Sequence, residues 1–266
     1  MSDFEQVPYE VIGPVARISH NRPERRNAEG ARMLEEMRRA IDRAIADDAV
    51  RVVIIACPGD HLSAGHDLEE GEGRRHHSVD QRHAHEERRF CDFCLKLWEA
   101  PKPMIAQVKG ACLAAGVMLA SMCDLVVASE DAFLADPVVN APGAAAVEMP
   151  VDPTVPGLRK AKHLLFTSRH MDAREAFETG MASRLVARSA LEAETLALAG
   201  QIAKAPPFAP KPIRRSPHRD LDLGGLRAGP EAHFDTHQLS HAPAAFRAVW
   251  KKGSSAAIDS GRKAVG

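Results

Sequence analysis

Two apolar runs too short to be helices, separated by one long amphipathic stretch, constrain this chain more than any other feature. The segment from Val11 to Ile18 and the run Val52-Val53-Ile54-Ile55-Ala56-Cys57 are rich in β-branched residues and predict buried strands. Between them, Met33, Leu34, Met37, Ile41 and Ile45 recur at three- and four-residue spacing, with Glu35, Arg38, Arg39 and Asp42 on the opposite side. That period predicts a helix with one apolar stripe. A second unit follows: a strand over Met104 to Val108, a turn from Gly110, a small-residue helix beginning near Ala115, and a strand over Leu125 to Ala128. Strands that alternate with helices predict an α/β fold.

Further along, Asp172 with Glu175, and Ser189 with Glu192, have the spacing of capping boxes, and Gly180 marks a helix stop between them. From Ala205 onward, Pro206, Pro207, Pro210, Pro212 and Pro217 interrupt a basic stretch and predict that no long helix runs through it. Residues 232–241 can be helical again, and residues 251–266 are small and polar, with fraying expected. The change in composition near residue 200 predicts a core over 1–200 and a separate C-terminal region over 201–266.

With 266 residues, 27% charged and a formal charge of −1, the chain can bury a full core but offers no field that would attract polyanions. Nucleic acid is not an expected partner. No apolar run approaches the roughly 20 residues needed to span a bilayer, and the N-terminus shows no secretory pattern, so a cytoplasmic location is expected. Five cysteines in such a chain predict reduced thiols. Cys91 and Cys94 form a lone CxxC within an apolar helical stretch, where core packing is the simpler reading. Histidines 76, 77, 83 and 85 stand among arginines and glutamates and predict a solvated helix or lid rather than a metal site.

Two turns carry the chemistry. Ser63-Ala64-Gly65-His66-Asp67-Leu68 and Leu113-Ala114-Ala115-Gly116-Val117-Met118 each follow an apolar strand and lead into a helix, an arrangement that leaves backbone N–H groups free. Such donors favour a developing oxyanion. Asn21-Arg22-Pro23-Glu24 with Asn27-Ala28, then Leu62 to Leu68, Pro101 to Ala106 with Gly110, Met122-Cys123-Asp124-Leu125, Lys160 to Thr167, Asp172 to Ala176 and Gly180-Met181 resemble the crotonase (enoyl-CoA hydratase/isomerase) superfamily in order and spacing, over roughly residues 10–200. The resemblance implies a spiral of ββα units (the ClpP/crotonase fold) with a C-terminal helical region that builds homotrimers or homohexamers. It implies an acyl-CoA thioester as substrate and no cofactor, since coenzyme A is part of the substrate. The N–H groups of His66 and Ala115 fall where the family's oxyanion donors lie. Ala64 falls where the family's main chain meets the adenine, and Arg22, Arg25 and Arg26 fall in the region that often meets CoA phosphates. Gly65, Asp67, Leu68, Gly116, Met118 and Val138 complete the substrate-facing set.

One departure stands out. Well-studied hydratases use two glutamates to activate water and protonate the α-carbon. Here position 118 is methionine and position 138 is valine. The candidate replacements are Glu148, in the loop after Pro142-Gly143, Asp136, at the end of an apolar strand, and, third, Asp67 and Glu69 beside the first turn. The expected activity is that of an enoyl-CoA hydratase-like lyase. The alternatives are an isomerase, or a scaffold that binds CoA thioesters without hydratase chemistry. A serine peptidase built on Ser63 and His66 ranks behind them.

Overall fold

The computed structural model describes residues 4–74, 76–137, 139, 148–149 and 154–241. Val138, the Pro142-Gly143 step, Val147 and the 251–266 tail named above lie outside the described residues.

Strands β1 (Tyr9–Ile12), β2 (Val15–Ser19) and β3 (Val52–Ala56) open the chain, with helix α1 (Ala31–Ala46) between the last two. The expected single strand over Val11 to Ile18 is thus a hairpin. Gly13, at φ +56°, and Pro14 turn the chain, and β1 runs antiparallel to β2. Glycine takes that left-handed φ at low cost, and the proline supplies no ladder N–H. Helices α2 (Leu68–Gly73), α3 (Val79–Glu86) and α4 (Asp92–Glu99) follow, the last two joined by a π-helical turn over Glu87–Cys91. Next come β4 (Met104–Val108), β5 (Ala111–Leu113), α5 (Ala115–Met122), β6 (Leu125–Ser129) and β7 (Phe133–Ala135). After these lie α6 (Leu158–Thr167), β8 (Met171–Asp172), α7 (Ala173–Glu178), β9 (Arg184–Val186), α8 (Leu191–Ala203), α9 (Pro210–Leu223) and α10 (Ala228–Ser240).

The main sheet has the order β1-β2-β3-β4-β6-β9 and is parallel from β2 onward, and a smaller sheet has the order β5-β7-β8. In the main sheet, alternation sets which core each residue enters. Val53, Ile55, Met104 and Ala106 face a large core shared with α1, α4 and α5, whereas Val52, Ile54 and Ile105 face a second core covered by Leu191, Leu198 and Ala199 of α8. A sheet buried on both faces accounts for the continuous apolar runs in its central strands. The result is the α/β fold that the alternation of strands and helices predicts.

Two local expectations are corrected. Ser189 does not cap α8, because residues 188–190 form a 3₁₀ turn and Ala190 takes the N-cap position without a side-chain bond. Asp172 does cap α7 by accepting from the Glu175 N–H, but the Glu175 carboxylate pairs with Arg169 and Lys160. The larger correction is α9, fourteen residues long and helical through the proline-rich stretch. Pro210 and Pro212 fall in the first turn, where N–H groups have no intrahelical acceptor, so only Pro217 removes a helical bond. Tertiary contacts offset that loss. Arg214 is buried: its Nε donates to both oxygens of Asp124, at 2.6 and 2.8 Å, and its terminal nitrogens donate to the carbonyls of Leu97, Trp98 and Ala100. One turn on, His218 stacks on Trp98 with ring centroids 3.6 Å apart.

Candidate active site

The two turns are one structure. Ser63 and Cys112 form a parallel bridge: the Ser63 N–H donates to Ala111 O, and the Leu113 N–H donates to Ser63 O at 3.0 Å. Glycine is required at both contact points. Gly65 has φ +84°, and a Cβ there would lie 2.9 Å from Leu113 O, while a Cβ on Gly116 would lie 2.8 Å from Ser63 Cβ. Any larger side chain would separate the turns.

On the far side of the first turn, the loop that begins at Arg22 holds it in place. Arg26 and Asn27 are both left-handed, at φ +50° and +55°. Asn27 accepts from the Arg22 N–H and donates to His61 O. Glu29 then pairs with the first turn through Glu29 N–H to Gly65 O, at 2.7 Å, and Asp67 N–H to Glu29 O, at 3.2 Å. Both bonds flank His66, so in this parallel pairing the His66 N–H points away from Glu29. In the second turn, Ala114 has the strained pair φ +45°, ψ −111°, held by its N–H to Ala135 O at 3.0 Å, and Ala115 is the first residue of α5. Among the described residues, neither the His66 N–H nor the Ala115 N–H has an acceptor.

Glu148 comes to the same place. Its Oε1 lies 3.0 Å from His66 Nε2, its side chain is buried, and no described residue hydrogen-bonds its Oε2. Met118 helps to seat it: the Met149 N–H donates to Met118 Sδ at 3.4 Å, and Cys91 donates its thiol to Glu148 O. Phe90 packs on the His66 ring, with centroids 4.2 Å apart. Burial alone would lower the imidazole pKa, but the Glu148 carboxylate outweighs it and raises His66 to about 9. Burial would likewise raise Glu148, yet the facing His66, with His237 behind it, holds it down to about 2. The pair is therefore imidazolium and carboxylate at neutral pH.

An NMR titration checks this. His66 remains protonated through neutral pH and titrates near 9. In E148Q, the ring loses its main counter-charge and titrates well below 9. The His66 contribution to stability is fully present below 6.5 and is lost as pH rises through about 9. The Glu148 contribution is present above 4.5 and is lost as pH falls through about 2.

The other sequence candidates are distributed as follows. Asp136 is buried directly after β7, next to the Ala135 carbonyl that holds the Ala114 turn. Asp67 is also buried and caps α2, accepting from the N–H groups of Glu69 and Glu70, while Arg22 lies 2.9 Å from its carboxylate. Arg25 pairs with Glu69 at 2.6 Å, so both it and Arg22 hold the α2 turn, whereas Arg26 is exposed. Ala64 donates its N–H to Arg26 O, and Leu68 begins α2 half-buried. The Ser63 hydroxyl is buried and donates to Glu29 Oε1 at 2.7 Å, so it faces a carboxylate rather than an imidazole. A cavity of about 340 Å³ lies elsewhere, between the end of α4 and α9, beside Trp98, Arg214 and His218. Sequence reasoning missed Glu29, Phe90, Glu86 and His237. Only His237 carried a local signal, the four-residue spacing of His233, His237 and His241.

The sequence profile of the Enoyl-CoA hydratase/isomerase family matches residues 11–247. The chain belongs to that family. "Putative enoyl-CoA hydratase EchA13" of Mycobacterium tuberculosis is 38% identical over 260 residues, covering 90% of this chain and 82% of the relative. Among solved structures, an enoyl-CoA hydratase/isomerase from Xanthobacter autotrophicus Py2 superposes with a TM-score of 0.89 at 33% identity, covering 97% of both chains. A "probable enoyl-CoA hydratase" from Mycobacterium smegmatis gives 0.86 at 40% identity, covering 94% of this chain and 99% of that one. This chain is therefore an enzyme of the enoyl-CoA hydratase/isomerase family. No helix among its described residues is long and apolar enough to cross a membrane.

Proposed function

We propose that the enzyme is an enoyl-CoA hydratase-like lyase of a branch that lacks the two usual glutamates and moves its proton with Glu148. The observation that carries the reading is the buried Glu148 carboxylate, ion-paired through Oε1 to His66, with Oε2 unclaimed by the described residues. The thioester oxygen sits between the N–H groups of His66 and Ala115. Glu148 takes a proton from water as the water oxygen bonds to C3, and the C2=C3 electron pair moves onto the thioester oxygen as an enolate. The enolate collapses as C2 takes that proton back from Glu148, so one water is added across the double bond. His66, as imidazolium, orients the carboxylate and keeps it ionised. The same charge makes Glu148 a weak base but its protonated form a strong acid, which favours the second transfer. Each oxyanion donor is worth about 10²–10³ in rate in characterised sites.

Asp136 is the reserve carboxylate, supported by its burial beside the Ala114 turn. Ala64, Gly65, Asp67 and Leu68 shape the first wall of the site, Gly116 and Met118 the second, and Arg25 and Arg26 border the phosphate end of CoA; Val138, the other expected substrate-facing residue, lies outside the described residues. A homotrimer or homohexamer in the cytoplasm is the expected setting.

A second reading draws on the same observation. One carboxylate suffices to carry a proton from C2 to C4, which is double-bond isomerisation. Parallel assays with crotonyl-CoA and a 3-enoyl-CoA separate the two. Hydration of the first without migration in the second supports the lyase, and the reverse supports the isomerase. Binding of both by calorimetry with turnover of neither rejects the catalytic role.

A further inference from the structure

No histidine of α10 transfers a proton in the reaction above. His233, His237 and His241 recur every four residues and so share one face of the helix. His237 and His241 are buried, against the last residue of α3, Glu86. We infer that Glu86, His237 and His241 form a three-ligand site for a zinc-class divalent cation that fastens α10 to α3 beside Glu148.

One ligand atom from each of the three residues lies within 4.8 Å of the other two. Zinc bound at about 2.0–2.1 Å in a tetrahedron sets its ligand atoms roughly 3.3–3.4 Å apart. The Glu86 Oε2 to His237 Nε2 edge is already 3.4 Å. The remaining edges, each no longer than 4.8 Å, close with a side-chain adjustment of at most about 1.4 Å. The carboxylate is also held from outside the set, since the Gln238 amide donates to Glu86 Oε2. Such a support is what fixes the ligands of a metal centre. Glu148 borders the site: its Oε1, paired with His66, lies 4.0 Å from His237 Nε2, and its buried Oε2 has no hydrogen-bond partner among the described residues. Two imidazoles and one carboxylate suit zinc or cobalt(II) better than calcium or magnesium, which favour all-oxygen sets. Histidines 76, 77, 83 and 85, the cluster visible in the sequence, take no part.

The inference concerns binding and stands apart from which reaction the site performs. Co²⁺ titrated into the chelator-treated full chain is expected to bind at one equivalent, with micromolar or tighter affinity, to give the intense visible bands of a tetrahedral nitrogen and oxygen site, and to be displaced by Zn²⁺. H237A and H241A are each expected to weaken binding by about 100-fold. If circular dichroism shows either variant unfolded, E86Q takes its place with the same expectation. Absence of stoichiometric binding by the wild type overturns the inference. So do thiolate charge-transfer bands, or undiminished binding in the folded variants.

Discussion

E148Q is expected to lower kcat for crotonyl-CoA hydration by about 10³, within the 10²–10⁴ that a positioned acid/base group contributes, while KM changes little. Glutamine keeps the volume of Glu148 and can still hydrogen-bond His66 Nε2, so the loop that carries it retains its seat on Met118 Sδ. What is lost is the capacity to accept a proton. The Glu148 carboxylate is ionised at neutral pH because His66, and behind it His237, offset its burial. It therefore meets the substrate with a lone pair rather than a proton. D136N, at the end of β7, is expected to cost far less. Stopped-time assay of both variants checks this: a small loss in E148Q with a large one in D136N would move the proton chemistry to Asp136.

R214M is expected to destabilise the folded chain by about 3–5 kcal/mol, the usual result of removing one member of a buried ion pair. The methionine fills much of the same space, but Asp124 loses the guanidinium facing it, and the carbonyls of Leu97, Trp98 and Ala100 lose their donors. Arg215, one residue on, is exposed, and R215A is expected to change stability by no more than about 0.5 kcal/mol. Urea midpoints measured at one protein concentration compare the two. Equal shifts would mean that Arg214 does not anchor α9.

These two sites differ in how far the sequence shows them. The parallel core was legible because Val52 to Ala56 and Met104 to Val108 are buried on both faces, which fixes composition strand by strand. The two turns were legible through their glycines, whose reason is now geometric: Gly65 and Gly116 are the points at which one turn touches the other. The short second sheet was only partly visible. Its strands β5, β7 and β8 span two or three residues each, too few for any period to emerge.

Helix α9 was misread because proline rules act locally, whereas its stability comes from Arg214 reaching Asp124, ninety residues earlier in the chain. Composition showed the cost of Pro217 without the contacts that offset it. Glu148 was identifiable as a candidate, but its partner was not. His66 lies 82 residues away, and only the folded chain brings the imidazole to the carboxylate. The Glu86 contact with His237 spans still more sequence, and nothing in either segment alone announces it.

The central claim is that Glu148 moves a proton at the carbon next to a thioester whose oxygen rests on the N–H groups of His66 and Ala115. The most direct measurement is exchange of the C2 protons of butyryl-CoA in D₂O, followed by NMR, for wild type and E148Q at saturating ligand. Butyryl-CoA has no double bond to hydrate, so exchange requires only the base and the stabilised enolate. The account predicts exchange at C2 in the wild type, none above the uncatalysed rate in E148Q, and equal binding of butyryl-CoA by both. Undiminished exchange in E148Q, or none in a wild type that binds the ligand, would contradict it.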